Sequence, residues 1–237
     1  MTATADAIFV MKRSTTQALI AVLFVAVLAL IVSLLAELRS GVIASKMLAS
    51  STFLAIALSC GAGRARYGRI ILAGLVFSWF GDLFLLGAAP QLFLLGLVSF
   101  LIAHVAYVSA FASLGLNRNW LFVALIPVAL ASMSASAWLT PHVADDMLLP
   151  VRVYTAVISV MVIASVAARG NGATTLIPLG AVLFYLSDLS VAAGQFVHTG
   201  FPNYVWGLPF YYAGQTLLAL SISSTVSAIQ ERQSARD

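Results

Sequence analysis

Eight apolar runs, each long enough to cross a bilayer, set the architecture open to this chain. A spanning helix needs about 20 mainly apolar residues, with a range of roughly 17 to 25. Such runs fall at 17 to 36, 41 to 60, 69 to 87, 91 to 113, 120 to 138, 150 to 168, 174 to 194 and 207 to 228. The 237 residues are 62% hydrophobic and 8% charged, whereas soluble domains carry charges at about a quarter of positions. The expectation is an all-α, polytopic membrane protein of eight transmembrane helices. The first run follows Lys12 and Arg13 as a secretory signal would. It is followed by Glu37 and Arg39 and has no small-residue cleavage site, so it reads as a first span.

The net charge of +4 suggests nucleic acid only until its distribution is read. Lys12, Arg13, Arg64, Arg66, Arg69, Arg118, Arg169, Arg232 and Arg236 fall on the side of the termini, Arg39 and Arg152 on the other, and Lys46 within a span. Nine against two, plus the one in a span, accounts for all twelve Lys and Arg residues. This positive-inside bias makes both termini cytoplasmic and removes nucleic acid as a partner. Cys60 is the one cysteine, which excludes an internal disulfide and a cysteine-cluster metal site.

Within this hydrocarbon-like frame two carboxylates stand out. Asp82 lies in Phe77-Ser78-Trp79-Phe80-Gly81-Asp82-Leu83, and Asp188 in Leu183-Phe184-Tyr185-Leu186-Ser187-Asp188-Leu189. Gly74 and Gly180 each precede their aspartate by eight residues, so the segments superpose with a shift of 106. The same shift carries Lys46 onto Arg152, and a slightly larger one carries Gly96 and Ala103-His104 onto Gly207 and Gly214-Gln215. The chain therefore reads as one integral membrane domain, 1 to 237, built from two parallel halves of about 17 to 113 and 120 to 228.

Lys46, Asp82, Arg152, Asp188 and Gln215 all fall in the outer half of the bilayer on this reading. Each charge would cost roughly 2.5–3.5 kcal/mol at mid-membrane, so these residues are expected to line one cavity. The alternative is that Lys46 with Asp82, and Arg152 with Asp188, form internal ion pairs. His104 and Tyr107 share a stripe of helix 4 with Gly96, Tyr185 lies one turn before Asp188, and Tyr212 and Gln215 share helix 8. In the outer segment 139 to 149, His142, Asp145 and Asp146 match no zinc spacing and read as solvated surface in a loop.

The set Lys46, Phe77-Ser78, Gly81-Asp82, Leu85, Gly96, Phe100, Ala103-His104, Tyr107, Phe184, Ser187-Asp188, Tyr212 and Gln215 resembles the YhhN family of membrane proteins, which includes lysoplasmalogenases. The chain differs where the family often has proline after the helix 2 lysine; here that residue is Met47. The resemblance implies a multi-pass protein of the cell membrane, specifically the bacterial inner membrane. It implies a lysophospholipid substrate whose vinyl ether bond is hydrolysed to a fatty aldehyde and a glycerophospho-alcohol, with no cofactor or metal.

That chemistry suits the residues. A vinyl ether is cleaved by protonation of its β carbon and attack of water on the oxocarbenium ion, which requires one protonated acid and one carboxylate. Two close aspartates can divide those roles. Lys46 and Arg152 are then expected to hold the lipid phosphate, with His104, Tyr107, Tyr185, Tyr212 and Gln215 around the substrate. A proton-coupled transporter of small molecules or lipids is the competing class, because parallel-repeat bundles with buried acids also serve carriers. An intramembrane aspartyl protease would use a similar pair, but Trp79-Phe80-Gly81 lacks the first glycine of its Gly-x-Gly-Asp pattern.

Overall fold

The computed structural model describes residues 2–197 and 199–234, with side chains described for 14–197 and 199–227. Arg236 and Asp237, which the topology expectation invokes, lie outside the described residues. No strand occurs among the described residues. The described residues form eight long helices: α1 (Thr2–Leu35), α2 (Arg39–Ser59), α3 (Arg66–Phe84), α4 (Pro90–Ala112), α5 (Arg118–Leu139), α6 (Asp145–Gly170), α7 (Leu176–Ala192) and α8 (Gly207–Ser234). Only a helix or a closed barrel satisfies every backbone N–H and C=O without water, which is why apolar runs of this length become helices. Side chains invert the soluble pattern: Phe24, Val123, Ile126 and Met133 on the outer faces are each more than 60% exposed, as lipid-facing residues would be.

Among the described residues seven stretches, one in each of α1 to α7, are long and apolar enough to cross a membrane. Helix α8 stands apart because it carries Tyr211, Tyr212, Gln215, Thr216, Ser221 and Thr225, all of which are buried inside the bundle. Its polarity faces inward.

Most predicted limits move by only a few residues, but one shift changes the reading of a segment. Helix α6 begins at Asp145, five residues before the expected Pro150, so the expected loop 139 to 149 is replaced by a 3₁₀ turn, Thr140–His142, followed by a helix start. Asp145 and Asp146 occupy its first turn, where their charge opposes the positive end of the helix dipole. That interaction explains why two acids open a helix here. At the other end of the pair, α7 relaxes into a π-helical turn, Ala193–Val197, an irregularity that recurs at functional sites.

Successive helices pack as pairs, α1 on α2, α3 on α4, α5 on α6 and α7 on α8, and the pairs join through α4 against α6 and α2 against α8. Cross-links fix which turns share an end. Arg39 Nη2 donates to Leu86 O at 2.6 Å, tying the α1–α2 turn to the α3–α4 turn. Asn117 Nδ2 donates to Gly170 O at 3.2 Å and Asn171 Nδ2 to Leu114 O at 2.8 Å, latching the α4–α5 and α6–α7 turns. Asn117 also caps α5, accepting from the backbone of Asn119 and Trp120. Tyr67 Oη and Ser221 Oγ, 2.7 Å apart, place the start of α3 beside the later turns of α8. Arg64, Arg66 and Arg69 thus sit at the same end as that part of α8.

Candidate active site

Both aspartates sit in the last turns of their helices, Asp82 three residues before Leu85 at the C-cap of α3 and Asp188 near the end of α7. Both line one cavity of about 100 Å³. Its walls come from α2 (Lys46), α4 (Phe93, Phe100), α6 (Tyr154, Ile158) and α8 (Tyr211), with Phe196 from the π turn. Thr155, Ser187 and Asn203 add polar groups to the wall, and the rest of the lining is mainly aliphatic and aromatic, the composition of a site for a ligand with a hydrocarbon part.

Asp82 is 2% exposed and fully engaged. Lys46 Nζ approaches Oδ1 at 3.3 Å, and Oδ2 accepts from Ser50 Oγ at 2.6 Å and Tyr211 Oη at 2.7 Å. Asp188 is dressed more lightly. Tyr154 Oη donates to its Oδ2 at 2.5 Å, His104 Nε2 stands 3.6 Å from the same oxygen, and its side chain keeps 15% exposure. Buried carboxylates need compensating donors; Asp82 obtains them from α2 and α8, and Asp188 from α6 alone.

The structure brings together Asp82, Asp188, Lys46 and Tyr185 on the cavity wall. Tyr185 Oη also lies 3.2 Å from Ser132 Oγ of α5. His104 is fully buried behind that wall, wedged against Tyr154 and Phe184, with neither ring nitrogen in a hydrogen bond. Tyr107 donates to Gln215 Oε1 at 2.8 Å and lies 3.3 Å from Ser78 Oγ, a polar cluster one layer away from the cavity. Tyr212 lies 3.3 Å from Ser50 Oγ and supports the residue that supports Asp82.

Two expected members of the cavity are elsewhere. Arg152 is exposed, lines no part of the cavity and forms no ion pair with Asp188. The helical angle explains this: two residues correspond to about 200° around a helix, so when Tyr154 faces Asp188 its neighbour Arg152 faces away. Gln215 is buried one turn beyond Tyr211 and spends its carbonyl on Tyr107. The ion-pair alternative is realised for Lys46 and Asp82 and not for Arg152 and Asp188.

Sequence reasoning passed over Ser50, Tyr154 and Tyr211, which contact the carboxylates. Tyr154 was findable, because it lies in an apolar run where a hydroxyl needs a partner. No cluster of three or more metal-ligating side chains occurs among the described residues.

Fold and site together define a polytopic helical membrane protein with one buried and one half-buried carboxyl group on a mostly apolar cavity. The sequence model of the YhhN family matches residues 41–222, and the chain belongs to that family. The chain is similar to lysoplasmalogenase TMEM86A of Bos taurus, 31% identical over 173 residues that cover 70% of this chain and 68% of the relative. Lysoplasmalogenase TMEM86A of Homo sapiens is 34% identical over 157 residues, 64% of each chain. Lysoplasmalogenase of Mycobacterium tuberculosis (strain CDC 1551 / Oshkosh) is 32% identical over 142 residues, covering 57% of this chain and 52% of that one. No solved structure matches.

Proposed function

We propose that this protein is a lysoplasmalogenase, hydrolysing the vinyl ether bond of alkenyl lysophospholipids to a fatty aldehyde and a glycerophospho-alcohol. The observation that carries the reading is the pair Asp82 and Asp188 on the wall of one apolar cavity, in a YhhN chain whose relatives are named for this reaction. The alkenyl chain lies along the aliphatic and aromatic lining, and the headgroup stays at the mouth. The aspartate pair supplies the proton that the β carbon takes, and water adds to the oxocarbenium ion. Carriage is supported less well, because the layer behind the site, Tyr107 with Gln215 and Ser78, is fully buried and packed.

The topology belongs to the same proposal: eight spans, both termini cytoplasmic, the multi-pass chain in the bacterial inner membrane, and two duplicated halves. Helix pairing supports the duplication, since α4 on α6 and α2 on α8 exchange under a twofold operation, as do α2 on α3 and α6 on α7. Close approaches support it as well. A Cβ at Gly74 would strike the Tyr107 ring, and one at Gly180 would meet Leu218 at 3.0 Å; Tyr107 and Leu218 correspond under the shift of 111 that relates Gly96 to Gly207. Incubating purified protein in detergent with an alkenyl lysophospholipid, and measuring free aldehyde, tests the activity. Release above a heat-treated control is expected; none from ethanolamine or choline lysolipids would refute the reading.

A further inference from the structure

We infer that the two aspartates have unequal roles: Asp188 carries the reacting proton in both directions, and Asp82 is a positioning residue locked to Lys46, Ser50 and Tyr211. This rests on the lysoplasmalogenase reading and divides its labour. Every oxygen of Asp82 already meets donors, a lysine at 3.3 Å on Oδ1 and two hydroxyls on Oδ2, so although it lines the cavity its 2% exposed carboxyl has no free oxygen to offer a substrate. Its charge is matched by Lys46, so Lys46 is a counter-ion and not a free phosphate anchor. Asp188 presents the opposite picture. Its Oδ2 is held by Tyr154, its Oδ1 makes no hydrogen bond among the described residues, and its 15% side-chain exposure opens onto the cavity.

The steps then balance on one carboxyl group. Protonated Asp188 gives its proton from Oδ1 to the β carbon of the vinyl ether; the C=C pair forms the new C–H bond, and the α carbon becomes an oxocarbenium ion facing the Asp188 carboxylate. Water adds its oxygen to the α carbon and returns a proton to Asp188, leaving a hemiacetal. The hemiacetal hydroxyl loses its proton as the bond to the glycerol oxygen breaks, and that oxygen gains one. One water is consumed, and Asp188 ends as it began. Tyr154 keeps Oδ2 occupied so that Oδ1 faces the substrate.

The charged and titratable groups around Asp188 are Tyr154 from α6, His104 from α4, Tyr185 on its own helix, and Lys46, Asp82 and Tyr211 across the cavity. The test compares the two sides by aldehyde release at matched folded protein. Asp188→Ala is expected to lose about 10²–10⁴-fold in turnover. Added formic acid should restore part of it, with the restored rate following undissociated acid at fixed formate. The neutral pair exchange Lys46→Met with Asp82→Asn should lose clearly less turnover than Asp188→Ala, because a locked pair is replaced as a unit.

Should that double variant fail to fold, isosteric changes decide. Tyr154→Phe should displace the pH profile of kcat, while Tyr211→Phe and Ser50→Ala leave it in place. A folded double variant as inactive as Asp188→Ala, rescue that follows the formate anion, or a profile displaced by Tyr211→Phe and not by Tyr154→Phe would each overturn the assignment. Wild type that releases no aldehyde would instead remove the reading on which the assignment rests.

Discussion

Asp82 and Asp188 occupy matching turns of α3 and α7, yet the bundle treats them differently. Around Asp82 a lysine and two hydroxyls converge on a carboxyl that is almost sealed. Around Asp188 a single tyrosine hydroxyl makes a close bond and a histidine stands off at 3.6 Å. One carboxyl group is thus a saturated polar anchor and the other keeps an open oxygen. A buried polar group is stable only when satisfied. The lightly dressed aspartate is accordingly the one we propose to react.

The largest expected effect sharpens that difference directly. Asp188→Asn keeps the size of the side chain and removes the transferable proton, so aldehyde release should fall by about 10²–10⁴-fold while the protein still inserts. Equal activity in the variant and wild type would end the distinction.

The next effect falls on stability instead of chemistry. Lys46→Met leaves Asp82 buried without its counter-ion, and breaking such a pair costs about 3–5 kcal/mol. Unfolding in a titration of sodium dodecyl sulfate against mild detergent should show that loss, and the further change Asp82→Asn should recover most of it. Additive losses would mean that the two side chains are not coupled.

A smaller effect compares the packing of the two halves. Gly74→Ala drives a methyl group into the Tyr107 ring and pulls its hydroxyl from Gln215, at about 1–3 kcal/mol. At Gly180 the nearest atoms, Gly214 O and Leu218, lie at 3.0 Å, so Gly180→Ala should cost less, about 1 kcal/mol. The same unfolding titration measures both, and a larger loss at Gly180 would reverse the order.

Smallest of all is Arg152→Met. The side chain is exposed and away from the cavity, so stability should stay within about 0.5 kcal/mol, with KM for lysolipid unchanged. A raised KM would return Arg152 to phosphate binding and restore the symmetry between the two cations.

The parts of this molecule that were legible in the chain share one property: they depend on local composition. Apolar runs give helices wherever backbone groups have no water to bond, and buried Asp82 and Asp188 are conspicuous against such a background. Lys46 was expected on the same cavity as Asp82 as a cation for the lipid phosphate, with the ion pair as the alternative, and the alternative is the arrangement found. Periodicity failed where rotation about a helix axis decides the outcome. Arg152 was carried onto Lys46 by a constant shift, but the group that turns toward Asp188 is Tyr154, and a linear shift carries no information about facing. Asp145 and Asp146 were assigned to a loop because charge and Pro150 suggested a later helix start, whereas acids at a helix N-terminus favour an earlier one.

By itself the sequence determined a helical membrane protein, its basic end, and the two carboxyl groups at matching positions, because the transfer of apolar and charged groups between water and hydrocarbon depends on residue type alone. Only the tertiary structure decided what each carboxyl group touches. Ser50 and Tyr211 reach Asp82 across 32 and 129 positions of chain, and Tyr154 reaches Asp188 across 34. Such contacts follow from how α2, α6 and α8 are rotated and packed against α3 and α7, and side-chain donors can satisfy a buried acid only once that packing has set their direction.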